Sequence, residues 1–176
     1  MFQFAIIGLL ISFFNFTTGS LPSLIGKTNL TKSSSKIIEE IEREAVPSLG
    51  SDSVLGLKFN QESYNELTKA ANLKLSKAQE NNFAGFDVLM PCCGFKTTVA
   101  KFEDNCQCGH HLATYGLIKK MLLSGNFSRD NIQKEIDKWV AYFFPKEAIA
   151  KELKVKNLDS PSVERALKNY KPKGGC

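Results

Sequence analysis

The first 26 residues contain no cation; Lys27 is the first. Nowhere does the chain hold a run of five or six like charges. Its 23 Lys and Arg are spread along the sequence against 18 Asp and Glu, for a net charge of +5. A nucleic-acid interface needs a basic patch interleaved with aromatics. None is present, so no nucleic-acid partner is expected, and the charge supports only weak attraction to anionic surfaces. No C-x-x-C pair and no βαβ pattern occur, which removes the usual thioredoxin-like signature. No cysteine follows the apolar N-terminal run, which excludes a bacterial lipoprotein anchor. There is no internal repeat. Hydrophobic residues make up 43% and charged residues 23% of the chain, enough apolar content to bury a modest core and too much for disorder by composition.

Histidine is scarce, and all of it sits in one place. Both histidines and four of the five cysteines lie between positions 92 and 111. The stretch reads Pro91-Cys92-Cys93-Gly94 and then Asn105-Cys106-Gln107-Cys108-Gly109-His110-His111. Composition alone does not gather soft donors in this way, so the cluster is the candidate site.

The organisation around it follows from pattern. Residues 1–19 are an apolar run ending in small residues. They read as a signal peptide, cut after Gly19 or Ser20, or as an N-terminal membrane anchor. The missing N-terminal cation favours the anchor orientation by the positive-inside rule. The run is short of the roughly 20 residues a span needs, and export is the preferred reading. Residues 20–50 are a linker and first helix, the helix at Lys36–Val46 with Ile37, Ile38, Ile41 and Ala45 on one side. Residues 51–145 form the domain that carries the cluster, and 146–176 form C-terminal helices and a flexible tail.

Within the middle domain, Val54–Phe59 reads as a short strand weakened by Gly56. Gln61–Gln79 reads as one helix, with Tyr64, Leu67, Ala71, Leu75 and Ala78 on its buried face. The chain enters the cysteines extended, because Pro91 disfavours helix at Met90. Phe95–Phe102 reads as a short strand or hairpin arm. From Cys108 to Leu123 a helix is expected, in which Ala113 and Gly116 let a neighbour approach closely. Ser124-Gly125-Asn126 closes it. Ser128 then caps a second helix, whose stripe of Ile132, Ile136, Trp139, Val140, Phe143 and Phe144 is core. Pro145 ends that helix, Lys146–Leu153 adds a turn or two, and Ser160-Pro161 opens a last helix to Tyr170. The fold class is mostly α: a small helical domain with an αα-hairpin following a cysteine-rich loop, and room for a short β-hairpin.

The cluster places two sulfurs on a loop and two at a helix N-terminus, where free N–H groups and the dipole favour thiolate. Three chemistries fit. Cys92, Cys93, Cys106, Cys108, His110 and His111 can ligate a soft metal ion: copper(I) first, because C-C and C-x-C pairs with imidazole suit it, and zinc second. In an exported protein the four cysteines can instead form two disulfides across the loop. Thiol–disulfide exchange is the third. Cys108 and His111, three apart, share a helical face, and His110 is expected to point elsewhere. Hydrolytic Cys-His catalysis lacks a third orienting residue, so no catalytic residue is assigned and enzymatic activity is not the favoured reading. Glu103 and Asp104 read as solvated turn residues. Cys176, on a Lys-Gly-Gly tail, offers a route to a covalent dimer. An unknown protein partner is compatible with all three chemistries.

Leu89-Met90-Pro91-Cys92-Cys93-Gly94 resembles a shortened form of the Pro-Cys-Tyr-Cys-Gly-Cys signature of the PCYCGC-motif proteins, which are exported bacterial proteins, often lipoproteins. The order of features is similar over about 46–145. Val46-Pro47-Ser48 comes first, then a helix with Tyr64, Ala70 and Ala71, then the cysteines. A second pair, Cys106 and Cys108, opens a helix with Ala113, and Gly125, Ser128, Asp130, Ile132 and Ile136 follow. The resemblance implies an extracytoplasmic location. A further resemblance, to the thiol-reducing cytochrome c maturation proteins, lies in cysteines set just ahead of a helix, a turn and a second helix. It implies redox work.

Overall fold

The computed structural model describes residues 33–88, 90–93 and 108–173, with Cys93 described by its backbone. Seven α-helices are present among them and no strand: α1 Ser34–Ala45, α2 Gln61–Ala70, α3 Lys77–Phe83, α4 Gly109–Ser124, α5 Arg129–Phe143, α6 Pro145–Val155 and α7 Pro161–Asn169. The mostly α reading holds. Segments 1–32, 94–107 and 174–176, with the N-terminal run, the 95–102 strand arm, Cys106 and Cys176, lie outside the described residues.

The helices bury two apolar clusters. The larger joins α2, α3, α4 and α5 through Leu67, Phe83, Leu117, Ile118, Met121, Ile132, Ile136 and Trp139, with Leu57 and Phe59 from the preceding loop. The smaller joins α1, α6 and α7 through Ile38, Ile41, Ile149, Leu153 and Val163. The first described helix and the last two thus make a core of their own. Phe144 links the two layers. Its N–H bonds the Val140 carbonyl to finish α5, and its carbonyl accepts from Ala148 N to begin α6. Pro145 then occupies the first turn of α6, where its missing N–H costs no helical bond.

α2 lies closely along α4, and α4 has glycine where they meet. A Cβ on Gly116 would overlap the Leu67 carbonyl oxygen, so only glycine permits this approach. The sequence expectation at Ala113 and Gly116 is met. At the other end of α4, Gly125 adopts φ 68 and stops the helix in the left-handed conformation. Ser128 accepts from Asn131 N as cap of α5, and Phe127 packs half-buried on the core that holds Ile132. The αα-hairpin of α4 and α5 forms as the pattern implies.

Two expectations are corrected. Val54–Phe59 is a chain reversal, not a strand. Leu55 and Gly56 both take positive φ, 57 and 75, and Ser53 N bonds Leu57 O at 2.8 Å around a 3₁₀ turn at Val54–Gly56. Its arms meet at the isolated bridge between Asp52 and Lys58, flanked by Gly50 N to Phe59 O and Phe59 N to Ser51 O. The reversal is pinned to α5 by a partly buried chain of bonds: Trp139 Nε1 donates to Ser53 Oγ at 2.9 Å, and Ser53 donates to Glu135 at 2.6 Å.

The single helix expected over Gln61–Gln79 is two. α2 tightens after Ala70, where Leu73 N reaches Ala70 O. Lys119 from α4 takes the Ala71 carbonyl. Ser76 and Gln79 then make a capping box that restarts the chain as α3. Apolar spacing runs through the break because Leu75 still packs on the core.

Candidate metal centre

Two separate segments deliver the site. The first holds Phe86–Val88 and Met90. Phe86, Val88 and Met90 are fully buried while Asp87 between them is exposed, the alternation of an extended chain. Gln133 of α5 holds this run by both backbone groups of Asp87, accepting from its N–H at 2.9 Å and donating to its carbonyl at 2.9 Å. Four residues on, Pro91 opens a 3₁₀ turn, Pro91–Cys93, which carries Cys92 at the surface. The extended entry is as expected; the turn at its end was not read.

The second segment is the start of α4. Cys108 is its N-cap residue, extended at ψ 143, and its carbonyl accepts from Leu112 N at 3.0 Å. Gly109 follows. A Cβ there would run into the Tyr64 hydroxyl, so the glycine serves the approach of α2 to the helix start. His110 and His111 complete the first turn. The positive end of the helix dipole faces Cys108.

The side chains converge. Cys92 Sγ lies 3.9 Å from Cys108 Sγ and 3.6 Å from His110 Nδ1. One donor atom from each of the three falls within 4.8 Å of the others. The two sulfurs are not bonded at this distance, since a disulfide spans about 2.05 Å. A tetrahedral ion with metal–sulfur bonds of about 2.3 Å and metal–nitrogen bonds of about 2.05 Å sets its sulfurs about 3.8 Å apart and sulfur and nitrogen about 3.6 Å apart. Both edges through Cys92 agree with these values, and the three donors form a group that could hold a metal ion.

The surroundings are apolar on one side. The His110 ring packs against Phe143 at 5.0 Å, Phe144 at 4.8 Å and Tyr64 at 6.1 Å between centroids. Burial against these rings lowers its pKa, which keeps the imidazole neutral and able to ligate at neutral pH. His111 is completely buried. Its Nδ1 lies 3.1 Å from Cys108 Sγ, and its ring lies 5.6 Å from that of Tyr115.

Of the six sequence candidates, the structure brings Cys92, Cys108 and His110 into one group. The shared face of Cys108 and His111 is observed, but the expectation that His110 points elsewhere is overturned. The Cys108 sulfur meets the His111 ring, while the His110 ring meets the sulfur of Cys92, brought in by the other segment. Cys106 and the Cys93 side chain lie outside the described residues. Residues not singled out for the site also matter. Tyr64, Phe143 and Phe144 wall His110, and Gln133 anchors the run that brings Cys92. The first three were read from their spacing as core, which they also are; no sequence signal marked Gln133.

Among the described residues no helix is long and apolar enough to cross a membrane. Comparison with protein-family models, with curated proteins and with solved structures returns no match.

Proposed function

We propose that this protein binds a soft metal ion through Cys92, Cys108 and His110, with copper(I) the first choice and zinc the second, as an exported or membrane-tethered binding protein. The observation that carries the reading is the agreement of the two Cys92 edges, 3.9 and 3.6 Å, with those of a metal-centred polyhedron. Two sulfurs and an imidazole form a soft donor set suited to both ions. Cys93 and Cys106 are further donors by their place in the sequence. The ion would be held at the start of α4, with the protein supplying a neutral imidazole and helix-stabilised thiolate. The extracytoplasmic placement rests on the apolar N-terminal run and on the resemblance to exported cysteine-motif proteins. Labelling of Cys176 from one side of the membrane tests it, and reaction only from the cytoplasmic side contradicts export.

The test of binding is elemental analysis of protein purified without oxygen, together with a thiol count. One bound ion per chain is expected, lost in Cys92→Ser and Cys108→Ser. Protein without metal, its cysteines locked in disulfides under mild reductant, overturns the reading.

One observation supports a second reading. Cys92 and Cys108 are near enough to couple as a disulfide, each losing a proton and together giving two electrons to a partner disulfide. A potential well below about −300 mV argues against such cycling, because bonds of that kind are structural.

A further inference from the structure

The two adjacent histidines meet their sulfurs at different distances. His110 Nδ1 is 3.6 Å from Cys92 Sγ, and His111 Nδ1 is 3.1 Å from Cys108 Sγ. Two ligands of one tetrahedral ion, a sulfur and a nitrogen, stand about 3.6 Å apart. The His110 distance is that edge. The His111 distance is shorter than that edge and suits a direct nitrogen–sulfur hydrogen bond. The burial of the two rings agrees: His111 is fully enclosed, while His110 is partly open.

We propose that His111 is a positioning residue that donates Nδ1–H to the Cys108 sulfur, and that the loaded site holds His110 and His111 in opposite tautomers. The inference rests on the metal-binding reading above. A thiolate ligand carries no proton and can only accept, so the hydrogen of this contact belongs to His111 Nδ1. A ligating His110 nitrogen must be bare, so its hydrogen sits on Nε2. The N–H···S bond holds Cys108 in one rotamer at the helix start and offsets part of the charge on its sulfur. Outer partners of this kind orient the ligand they touch. One dipeptide thereby supplies a ligand and a support for the neighbouring ligand.

Histidine long-range ¹H–¹⁵N correlation on ¹⁵N-labelled protein loaded with Zn²⁺ reads the tautomers directly. The expected result is Nε2–H for His110 with a metal-bound Nδ1, and Nδ1–H for His111. An Nε2–H tautomer at His111 overturns the proposal. Two variants add an independent readout. His111→Asn sets an amide N–H near the place of Nδ1–H, whereas His111→Leu removes the donor. Zn²⁺ affinity should fall roughly 10–100-fold in His111→Leu at unchanged stoichiometry. It should be largely kept in His111→Asn, and the sulfur-to-metal charge-transfer band of the Co²⁺ form should move only in His111→Leu. Equal losses in both variants contradict the donor role, and a loss of stoichiometry in His111→Asn would make His111 a ligand. If His111→Leu does not fold, the wild-type tautomers decide. Wild-type protein that takes up no Zn²⁺ or Co²⁺ refutes the metal reading itself, a failure distinct from a wrong tautomer in a loaded site.

Discussion

The layer of α2 to α5 and the layer of α1, α6 and α7 bury apolar surface by different means. The first is rich in rings. Phe59, Trp139, Tyr142 and Phe143 pack at centroid distances of 4.8 to 6.0 Å, and α2 meets α4 closely enough to require Gly116. The second is aliphatic, built on Ile38, Ile41, Ile149, Leu153 and Val163. Its polar tie is Glu42, which accepts from the Tyr170 hydroxyl at 2.6 Å and from Lys173 N at 2.9 Å. The difference matches the work each does. Donors from two segments must be held within a few tenths of an ångström, which rigid rings and backbone contacts can do. The other layer joins α1 to α6 and α7, and among the described residues its buried aliphatic side chains belong to a cluster separate from the one that walls His110.

Substitutions can separate the layers. Trp139→Ala should have the largest effect. It removes a fully buried ring and the donor to Ser53, for about 3–5 kcal/mol, and should cost metal binding with global stability. Ile149→Ala leaves a cavity in the other layer and should cost about 2–4 kcal/mol. Denaturant titration gives both magnitudes, and hydrogen exchange should show opening confined to α1, α6 and α7 in the second variant. Equal loss of protection in both layers would break the comparison. Gly116→Ala should cost about 3 kcal/mol, because the atom it strikes is the Leu67 backbone carbonyl and cannot swing aside.

Smaller effects sharpen the contrast. Glu42→Ala leaves the Tyr170 hydroxyl and Lys173 N–H without their acceptor and should cost about 1–2 kcal/mol. It should release the C-terminal segment to proteolysis while metal affinity stays as in the wild type. The smallest effect is a pH dependence. Burial, and then the hydrogen bond to Glu42, raise the Tyr170 phenol to about 12, against about 10 for an unfolded tyrosine. Between these values the folded chain keeps a proton that the unfolded chain has released. The contribution is therefore complete below about pH 10 and is lost as pH rises from there through about 12. Tyr170→Phe should flatten the alkaline limb of stability measured against pH, and an unchanged limb would remove this contact from the account.

Most helices were legible because their stops are local chemistry: Gly125 in the left-handed conformation, Ser128 as a cap, Pro145 and Pro161 in first turns. The break between α2 and α3 was written as Ser76-x-x-Gln79, a capping box, but an apolar period carried across it by Leu75 hid the signal. The turn at Leu55 could not be read, since a leucine at positive φ is fixed by the contacts around it and not by its own preference. At the site, the clustering of cysteine and histidine marked the residues that form the group able to hold a metal. Spacing on the helix left His110 out of the group, because its sulfur partner, Cys92, comes from a separate segment 18 residues away. The proposed division of roles between His110 and His111 rests on the 3.6 and 3.1 Å distances to their sulfurs, which no pattern of letters contains.

X-ray absorption at the edge of the bound metal tests the central claim most directly. The account predicts a sulfur shell at about 2.3 Å together with imidazole nitrogen at about 2.0 Å, with sulfur lost on Cys92→Ser or Cys108→Ser. A first shell of oxygen and nitrogen alone, unaltered by either substitution, would contradict it.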